Sequence, residues 1–331
     1  MRAPEFWSGD AEGRDRAPIL QALLAPISVI YAASVAHRLR TMQPARASIP
    51  VICVGNLTLG GAGKTPVTRA LRAKLGIGAH VLSRGYGGSE AGPMRVTEEM
   101  SADHVGDEPL LHARDGATWI ARDRAAGAEY AARNGARLLL LDDGFQNPAL
   151  AKDLSIVVID AGALFGNGKV FPAGPLREPL AAGLARADGL ILLHAQQEAF
   201  ETPALLANFS GPILHAHLEP LAPPPQGPLV AFTGIARPDK FFDTLRAAGG
   251  DIAEAIPYPD HHRFTESEMT WLRTLARERN GRLITTEKDF VRLPAAARAD
   301  IECLPVTAHF QDEGALDALI APFAARAEAR A

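Results

Sequence analysis

Short runs of apolar residues recur along the chain and alternate with segments of helical patterning. Runs of four to seven residues are typical of strands that are buried on both faces of a parallel sheet. Five such runs lie in the first two thirds of the sequence: Val51–Val54, His80–Ser83, Arg137–Leu141, Leu154–Asp160 and Gly189–Leu193. A helix is predicted after the first of them, over Val67–Leu75. This alternation predicts an α/β fold with a mainly parallel sheet.

A second α/β pattern follows a proline-rich stretch, Pro220–Pro228, which predicts a stiff hinge. Strands are then predicted at Leu229–Phe232, Asp251–Ile256, Leu283–Thr286 and Ile301–Val306, with helices at Asp239–Ala248 and Thr265–Asn280 and an alanine-rich helical tail. We therefore expect an N-terminal segment (1–45), a core (46–219), a hinge (220–228) and a smaller α/β lobe with a C-terminal helix (229–331).

The N-terminal segment contains an uncharged, apolar stretch of 20 residues, Ala17–Ala36. Twenty helical residues span about 30 Å, which is the thickness of a bilayer core. Pro26 and many alanines weaken the pattern, and positive charge lies on both sides, with Arg14 and Arg16 before the stretch. The stretch is compatible with a helix lying in the membrane interface, a helix spanning the membrane, or a core helix of a soluble protein, and we favour the interfacial helix.

The first predicted strand leads into a glycine-rich turn and then into a helix. The turn contains Gly60, Gly61, Ala62 and Gly63 and is followed by Lys64 and Thr65. This order is typical of the phosphate-binding loop (P-loop) of nucleotide hydrolases and kinases, where backbone N–H groups and the helix N-terminus face the phosphates. Lys64 would reach the β- and γ-phosphates, and the Thr65 hydroxyl would bind Mg²⁺. One position departs from the general pattern, since Thr58 stands where a glycine is expected.

Two adjacent acids, Asp142 and Asp143, end the apolar run Arg137–Leu141. A carboxylate at the carboxyl edge of a parallel sheet is well placed to hold Mg²⁺ beside a bound nucleotide. Adjacent negative charges repel each other unless a cation is near, which favours a functional interpretation over a structural one. We therefore predict that both acids contribute to a metal site.

Other polar residues have spacing that leaves two interpretations open. Arg84, in a second glycine-rich loop, is either a phosphate ligand or a surface residue, and Asp107 either favours a helix start or brings a carboxylate to the phosphate site. Arg177 and Glu178 lie in a long irregular loop and are candidates for phosphate and metal contacts. The sequence Asp260-His261-His262 indicates either acid–base or metal chemistry, or an exposed polar loop.

Composition excludes several classes of protein. The 331-residue chain is 47% hydrophobic and 22% charged, which is ordinary for a globular protein. Its formal net charge of −4 gives no basic field that would favour nucleic acid as a partner. Its two cysteines, Cys53 and Cys303, lie in apolar runs and are predicted to be buried thiols of a reducing compartment.

Eight motifs in order resemble those of one enzyme family. They are VGNLTLGGAGKTP, SRGYGG, VGDEP, LDDGFQ, FPAGPLREP, FTGIARPDKFF, PDHHRF and TTEKD, and they follow an apolar N-terminal segment. From about Tyr31 to about Leu293 the chain resembles the tetraacyldisaccharide 4'-kinases, the lipid A 4'-kinases. Within that family, a threonine at position 58 is no departure.

The resemblance implies a P-loop core, a smaller α/β lobe joined by a hinge, and an N-terminal membrane helix. It implies an enzyme on the cytoplasmic face of the bacterial inner membrane. Its substrates would be ATP with Mg²⁺ and a membrane-embedded, tetraacylated glucosamine disaccharide 1-phosphate, whose 4'-hydroxyl receives the γ-phosphoryl group. The partners would thus be lipids, with no nucleic acid.

The resemblance also implies roles for particular residues. Lys64 and Thr65 match the residues that carry the phosphates and Mg²⁺, and Asp142 and Asp143 match the metal-binding acids. Asp107 matches the general base, with His261 as its partner. Arg177 and Glu178 match the loop that closes over the phosphates.

Two alternatives belong to other functional classes. A P-loop GTPase or ATPase of the metallochaperone type shares a similar loop, but the segment Thr286-Glu287-Lys288-Asp289 has the wrong spacing for guanine recognition. A membrane-docked nucleotide-binding adaptor would leave Asp107, His261 and the Arg177–Glu178 loop without a role.

Overall fold

The computed structural model of the protein describes residues 4–8, 17–195 and 200–329. Its strands are β1 (Val51–Gly55), β2 (Ala79–Ser83), β3 (Met94–Val96), β4 (Thr118–Ile120), β5 (Leu138–Asp142), β6 (Leu154–Asp160), β7 (Gly189–His194), β8 (Ile213–Pro220), β9 (Pro228–Thr233), β10 (Asp251–Pro257), β11 (Arg282–Thr286), β12 (Ile301–Leu304) and β13 (Val306–Phe310). Arg14 and Arg16 lie outside the described residues.

The helices alternate with these strands over most of the chain. They are α1 (Pro18–Thr41), α2 (Lys64–Leu75), α3 (Ala102–Val105), α4 (Asp107–Asp115), α5 (Arg124–Arg133), α6 (Leu180–Leu184), α7 (Pro238–Ala247), α8 (Glu266–Glu278), α9 (Glu287–Phe290) and α10 (Glu313–Glu328).

Within the described residues, nine strands form the larger sheet in the order β13-β8-β7-β6-β1-β5-β2-β4-β3. Neighbouring strands are parallel in the interior of the sheet and antiparallel at its two edges, where β13 pairs with β8 and β3 pairs with β4. The prediction of an α/β fold with a mainly parallel sheet is confirmed.

Burial on both faces explains why the central strands are continuous apolar runs. Every residue of β1, β5, β6 and β7 is buried. Ile52 and Val54 of β1 pack in the core under α2 and α10, whereas Cys53 between them joins the core on the opposite face, with α5. Cys53 is a free thiol whose pKa burial raises to about 11, and Cys303 is a free thiol that is half-buried.

The smaller sheet has the order β10-β9-β11-β12, and all its pairs are parallel. Its two faces are covered by α7 and α8, whose apolar residues Phe242 and Leu272 lie in separate cores. The helix start predicted at Thr265 is a capping box, because the Thr265 hydroxyl accepts from Glu268 N–H and the Glu268 carboxylate accepts from Thr265 N–H. A second, smaller α/β lobe is therefore confirmed.

The end of the chain departs from the predicted division. We expected one strand over Ile301–Val306 inside a lobe of 229–331, but Pro305 separates β12 from β13, because proline cannot donate to a strand ladder. Strand β13 joins the larger sheet, and Leu316 and Ile320 of α10 pack into its core. The chain therefore passes between the lobes twice, through residues 221–227 and at Pro305, and its last helix belongs to the larger lobe.

Helix α1 turns its apolar side away from the protein. Ile19, Leu23 and Ile30 are 78%, 70% and 70% exposed, whereas the polar residues Gln21 and Ser28 are buried. The Ser28 hydroxyl accepts a hydrogen bond from Ala173 N–H at 3.1 Å, and Gln21 donates to Phe6 O at 3.1 Å. Among the described helices, α1 is the one that is long and apolar enough to cross a membrane, although signal sequences and core helices can pass the same test.

Candidate active site

The predicted phosphate loop joins β1 to α2 at the middle of the larger sheet. Strand β1 lies between β5 and β6, so the carboxyl ends of the three strands surround the loop. Gly63 has a φ of +82°, and a Cβ atom there would lie 2.2 Å from Leu193 Cδ2 of β7. The positive φ favours glycine at this position, and any larger residue would also have to displace the Leu193 side chain. The loop geometry is that expected for an anion site at a helix N-terminus.

Lys64 lies at the start of α2 and is held close to the candidate metal acids. Its side chain is 9% exposed, and its ammonium Nζ lies 3.4 Å from Asn56 Oδ1 and 3.7 Å from Asp143 Oδ1. Thr65 follows in the first turn of the same helix. The glycines, Lys64 and Thr65 therefore follow one another at the N-terminus of α2.

Asp142 and Asp143 are adjacent in sequence but have different surroundings. Asp142 ends β5 and is 1% exposed, and its Oδ2 lies 2.8 Å from His112 Nε2 of α4. Within the described part of the chain its second oxygen, Oδ1, has no hydrogen-bond partner. A buried carboxylate oxygen without a partner is costly, and a cation would satisfy it.

Asp143 faces the cations of the loop. Its φ is +57°, and its Oδ1 lies 2.8 Å from Arg177 Nη1. Burial alone would raise the pKa of Asp143, but the charges of Lys64 and Arg177 outweigh it, so that the pKa is lowered. Asp143 is therefore an anion at neutral pH, and a triphosphate would compete with it for both cations.

The irregular loop places Arg177 and Glu178 in different environments. Arg177 also donates from Nε to Thr58 O at 3.2 Å, which keeps its guanidinium beside the phosphate loop. Glu178 is 2% exposed and accepts hydrogen bonds from Arg186 at 2.6 Å and from Gln146 at 3.0 Å. Protein partners thus hold its carboxylate, and direct metal binding by Glu178 stays a prediction.

Arg84 directly follows β2 and is exposed at the carboxyl edge of the sheet. Burial, with the charge of Arg84 as the next contribution, lowers the pKa of Arg124 to about 10. A phosphate contact of Arg84 also stays a prediction.

Asp107 and His261 meet across the two lobes. Asp107 begins α4 and is 6% exposed, whereas His261 lies in the loop between β10 and α8. His261 Nδ1 lies 3.4 Å from Asp107 Oδ2. A Cβ atom at Gly106 would lie 2.5 Å from Tyr86 O in the loop after β2, which shows that Asp107 is at the carboxyl edge of the sheet.

Arg292 and Lys288 of the smaller lobe bind Asp107 and its neighbour Glu108. Arg292 donates to Asp107 Oδ2 from both Nε and Nη2, and Lys288 donates to Glu108 at 3.1 Å. Burial would raise the pKa of Asp107, but the hydrogen bond with His261 and the charges of Lys288 and Arg292 hold it far below its usual range. Asp107 is therefore fully ionised at neutral pH.

The second histidine of the motif has a structural environment. His262 stacks on Tyr258 with ring centroids 4.6 Å apart, and its Nε2 lies 3.0 Å from the Glu268 carboxylate of the capping box. Among the residues that the structure describes, no group of three or more His, Cys, Asp or Glu side chains could hold a metal ion. A metal site would need ligands of another kind, such as Thr65, phosphate oxygens or water.

Sequence reasoning missed His112, Arg292 and Lys288. His112 lies five residues after Asp107 on α4, and its position directly after Leu110 and Leu111 is a weak sequence signal for a buried histidine. Arg292 and Lys288 lie in or just after the motif TTEKD, which the resemblance included without assigning its residues a role.

Comparisons with known proteins agree with this geometry. The family model described as tetraacyldisaccharide-1-P 4'-kinase matches residues 20–324. Tetraacyldisaccharide 4'-kinases of Hyphomonas neptunium and Maricaulis maris are 51% and 53% identical to the chain; the first match covers 99% of both chains, and the second covers 97% of this chain and 96% of the relative.

A solved structure matches as well. It is LpxK from Aquifex aeolicus in complex with ATP, with a TM-score of 0.73 and 28% identity over 92% of this chain and 99% of that one. These findings support a kinase, as predicted, and do not support the alternative of a metallochaperone-type GTPase or an adaptor. The chain belongs to the tetraacyldisaccharide-1-P 4'-kinase family.

Proposed function

We propose that the protein transfers the γ-phosphoryl group of ATP to the 4'-hydroxyl of a tetraacylated glucosamine disaccharide 1-phosphate. The observation that carries this proposal is the contact of Asp107 with His261, 3.4 Å apart, at the sheet edge that also bears the phosphate loop. A kinase for a sugar hydroxyl needs a group that accepts the hydroxyl proton near the γ-phosphate. Asp107 is an ionised carboxylate in that region.

The phosphate loop would hold the triphosphate through backbone N–H groups and Lys64. Lys64 Nζ and Arg177 Nη1 both contact Asp143 Oδ1, so both cations point to one region beside the loop. In phosphoryl transfer, catalysis is mostly positioning and neutralisation of charge on the transferred group. Lys64 and Arg177 would supply that charge. Arg84 would contribute a further phosphate contact from the end of β2.

The residues around Asp142 fit a magnesium ion. The Asp142 Oδ1 atom is buried without a hydrogen-bond partner in the described chain, and the Thr65 hydroxyl lies in the first turn of α2. Asp142, Asp143 and Thr65 would hold the ion. Glu178 accepts a hydrogen bond from Gln146, which accepts one from Arg177, the partner of Asp143. When bound, Mg²⁺ neutralises charge on the phosphate oxygens and fixes their orientation.

Asp107 would accept the proton of the attacking hydroxyl. The sugar oxygen forms a bond to the γ-phosphorus, the bond from that phosphorus to the bridging oxygen of ADP breaks, and the proton passes to the Asp107 carboxylate. The transition state of phosphoryl transfer is loose, so the hydroxyl proton is lost late and a weak base suffices. His261 would orient Asp107 from the smaller lobe, and closure of the two lobes would exclude water.

Helix α1 would lie in the membrane that contains the substrate. Its apolar side chains are exposed while Gln21 and Ser28 face the protein, which is the reverse of a helix in a soluble protein. A polar side against the protein and an exposed apolar side match a helix whose outer side faces lipid. The proposed location is the cytoplasmic face of the bacterial inner membrane, where ATP and the lipid acceptor are both accessible.

Transfer of labelled phosphate tests the proposal. Purified protein, γ-³²P-ATP and purified disaccharide 1-phosphate acceptor in detergent micelles are expected to yield a labelled lipid, with little ATP turnover when the acceptor is left out. Folded protein that binds ATP but gives no labelled lipid would refute the proposed function.

A further inference from the structure

A turn of the smaller lobe lies directly against the phosphate loop. A Cβ atom built on Gly61 would lie 3.6 Å from Ala236 Cβ, which is ordinary van der Waals contact. Ala236 precedes Arg237 and the helix α7, in the segment that reads Gly234-Ile235-Ala236-Arg237-Pro238. Arg237 of this segment and Lys240 in the first turn of α7 are therefore the cations of the smaller lobe nearest in sequence to this contact with the phosphate loop.

Arg237 and Lys240 both contact one carboxylate of the larger lobe. Arg237 Nη1 lies 2.5 Å from Asp160 Oδ1, and Lys240 Nζ lies 2.5 Å from Asp160 Oδ2. Asp160 is the last residue of β6 and is 5% exposed. It is paired in the sheet with Leu193, whose side chain packs against Gly63 of the phosphate loop.

The side chains of Arg237, Lys240 and Asp160 together carry an excess of positive charge. One carboxylate faces two cations, and Asp160 Oδ1 also accepts hydrogen bonds from Gly162 N–H at 3.0 Å and Ala163 N–H at 3.1 Å. The backbone thus fixes the carboxylate, whereas Arg237 and Lys240 approach it on long side chains from the other lobe. Arginine and lysine bind phosphate oxygens well, and arginine can do so with two parallel hydrogen bonds.

We propose that Arg237 and Lys240 bind the terminal phosphate of the nucleotide, and that Asp160 holds them beside the phosphate loop until the triphosphate arrives. Binding of the γ-phosphate would draw the two cations from Asp160 and hold the smaller lobe against the loop. This inference rests on the proposed function, because it adds phosphate contacts to the same site.

Equilibrium binding of ATP and ADP without the lipid acceptor separates this proposal from a purely structural tie between the lobes. The variants are Arg237→Met, Lys240→Met and Asp160→Asn, where asparagine keeps an acceptor for the two backbone N–H groups. Arg246→Met is the matched control, because Arg246 pairs with Asp243 on the exposed side of the same helix.

Arg237→Met and Lys240→Met are each expected to weaken ATP binding by about tenfold, the typical worth of a charge-assisted hydrogen bond, with a smaller effect on ADP. Asp160→Asn is expected to strengthen ATP binding, because it removes both the competing carboxylate and a negative charge near the phosphates. The Arg246→Met control should bind both nucleotides as the unaltered protein does.

A structural tie predicts a different result, in which Asp160→Asn and Arg237→Met weaken ATP and ADP binding alike. That result, or unchanged ATP binding in both cation variants, would overturn the inference. If the unaltered protein still labels the lipid acceptor, the proposed function survives such a failure, so the two outcomes are distinguishable.

Discussion

His112 Nε2 lies 2.8 Å from Asp142 Oδ2, and the two side chains are 0% and 1% exposed. This contact joins α4, which carries Asp107 at its first turn, to the strand end that carries the candidate metal acids. One short helix therefore positions both the proposed base and the partner of a proposed metal-binding carboxylate. The residues that would bind the acceptor and the nucleotide are therefore linked through α4.

Replacement of His112 by alanine should weaken Mg²⁺ binding. The substitution removes the group that orients Asp142 and leaves Asp142 Oδ2 buried without its partner. Loss of a residue that orients a metal-binding side chain typically lowers metal affinity by about 10–100-fold. The Mg²⁺ concentration for half-maximal turnover should rise by that factor.

The exposed His104 of α3 provides the control for this experiment. His104→Ala should leave the Mg²⁺ requirement unchanged. If His112→Ala and His104→Ala have the same Mg²⁺ requirement as the unaltered protein, Asp142 does not depend on His112 for its role.

Replacement of Arg292 by methionine should move the acidic limb of the pH–rate profile to higher pH. The hydrogen bond with His261 and the charges of Lys288 and Arg292 together lower the pKa of Asp107, so removal of Arg292 raises that pKa from far below the usual 3.8. Only ionised Asp107 accepts a proton, and activity is lost as the pH falls through the pKa of Asp107. Turnover measured from pH 4 upwards should therefore fall at a higher pH in Arg292→Met, and at an intermediate pH in Arg292→Lys.

Arg279 of the smaller lobe, which pairs with the partly exposed Glu254 at 2.6 Å, is the matched control. Arg279→Met should keep the original profile. An acidic limb that is the same in all four proteins would show that the charge of Arg292 does not control Asp107.

Replacement of Arg186 by methionine should lower the stability of the fold. Glu178 is 2% exposed and shares its carboxylate with Arg186, which also lies over the Phe145 ring at 4.3 Å. A buried group that loses its partner costs about 1–3 kcal/mol. Urea unfolding should report a decrease of this size.

Arg133 makes a similar pair with Glu129, but on the surface, where both side chains are mostly exposed. Arg133→Met should change the free energy of unfolding by less than about 0.5 kcal/mol. Equal stabilities of the Arg186 and Arg133 variants would mean that Glu178 does not need its buried partner.

Polar substitutions on the exposed side of α1 should release the protein from membranes. Ile19, Leu23 and Ile30 would each lose about 1.5–3 kcal/mol of burial in lipid when replaced by serine. The triple variant should move from the membrane fraction to the soluble fraction after a salt wash. The same substitution at Ile77, which is 99% exposed on another surface, should not change the distribution. If the triple variant stays with the membranes, α1 is not the anchor.

The sequence predicted the central strands well, because β1, β5, β6 and β7 are buried on both faces and must be apolar throughout. It did not predict the three-residue strands β3 and β4 or the strand β8, and of these β3 and β8 are buried only in part. Three-residue strands and partly buried strands carry little periodicity. Pairing with neighbouring strands in the folded protein determines β3, β4 and β8.

The site was predictable where chemistry follows local sequence, as at the glycines, Lys64 and the Asp142–Asp143 pair. The pairing of Asp107 with His261 came from the resemblance to a family, since 154 residues separate them. The contact of Asp107 with Arg292, across 185 residues, has no local signal at all. The return of β13 to the larger sheet was missed for the same reason, because strand partners are chosen in three dimensions.

The most direct test of the account is the rate of phosphoryl transfer by Asp107→Asn, measured with saturating ATP and lipid acceptor and compared with its affinity for ATP. Loss of a general base is expected to lower turnover by about 10²–10⁴-fold, while ATP binding stays within about twofold because Asp107 does not hold the phosphates. Turnover equal to that of the unaltered protein would contradict the claim that Asp107 accepts the proton of the hydroxyl.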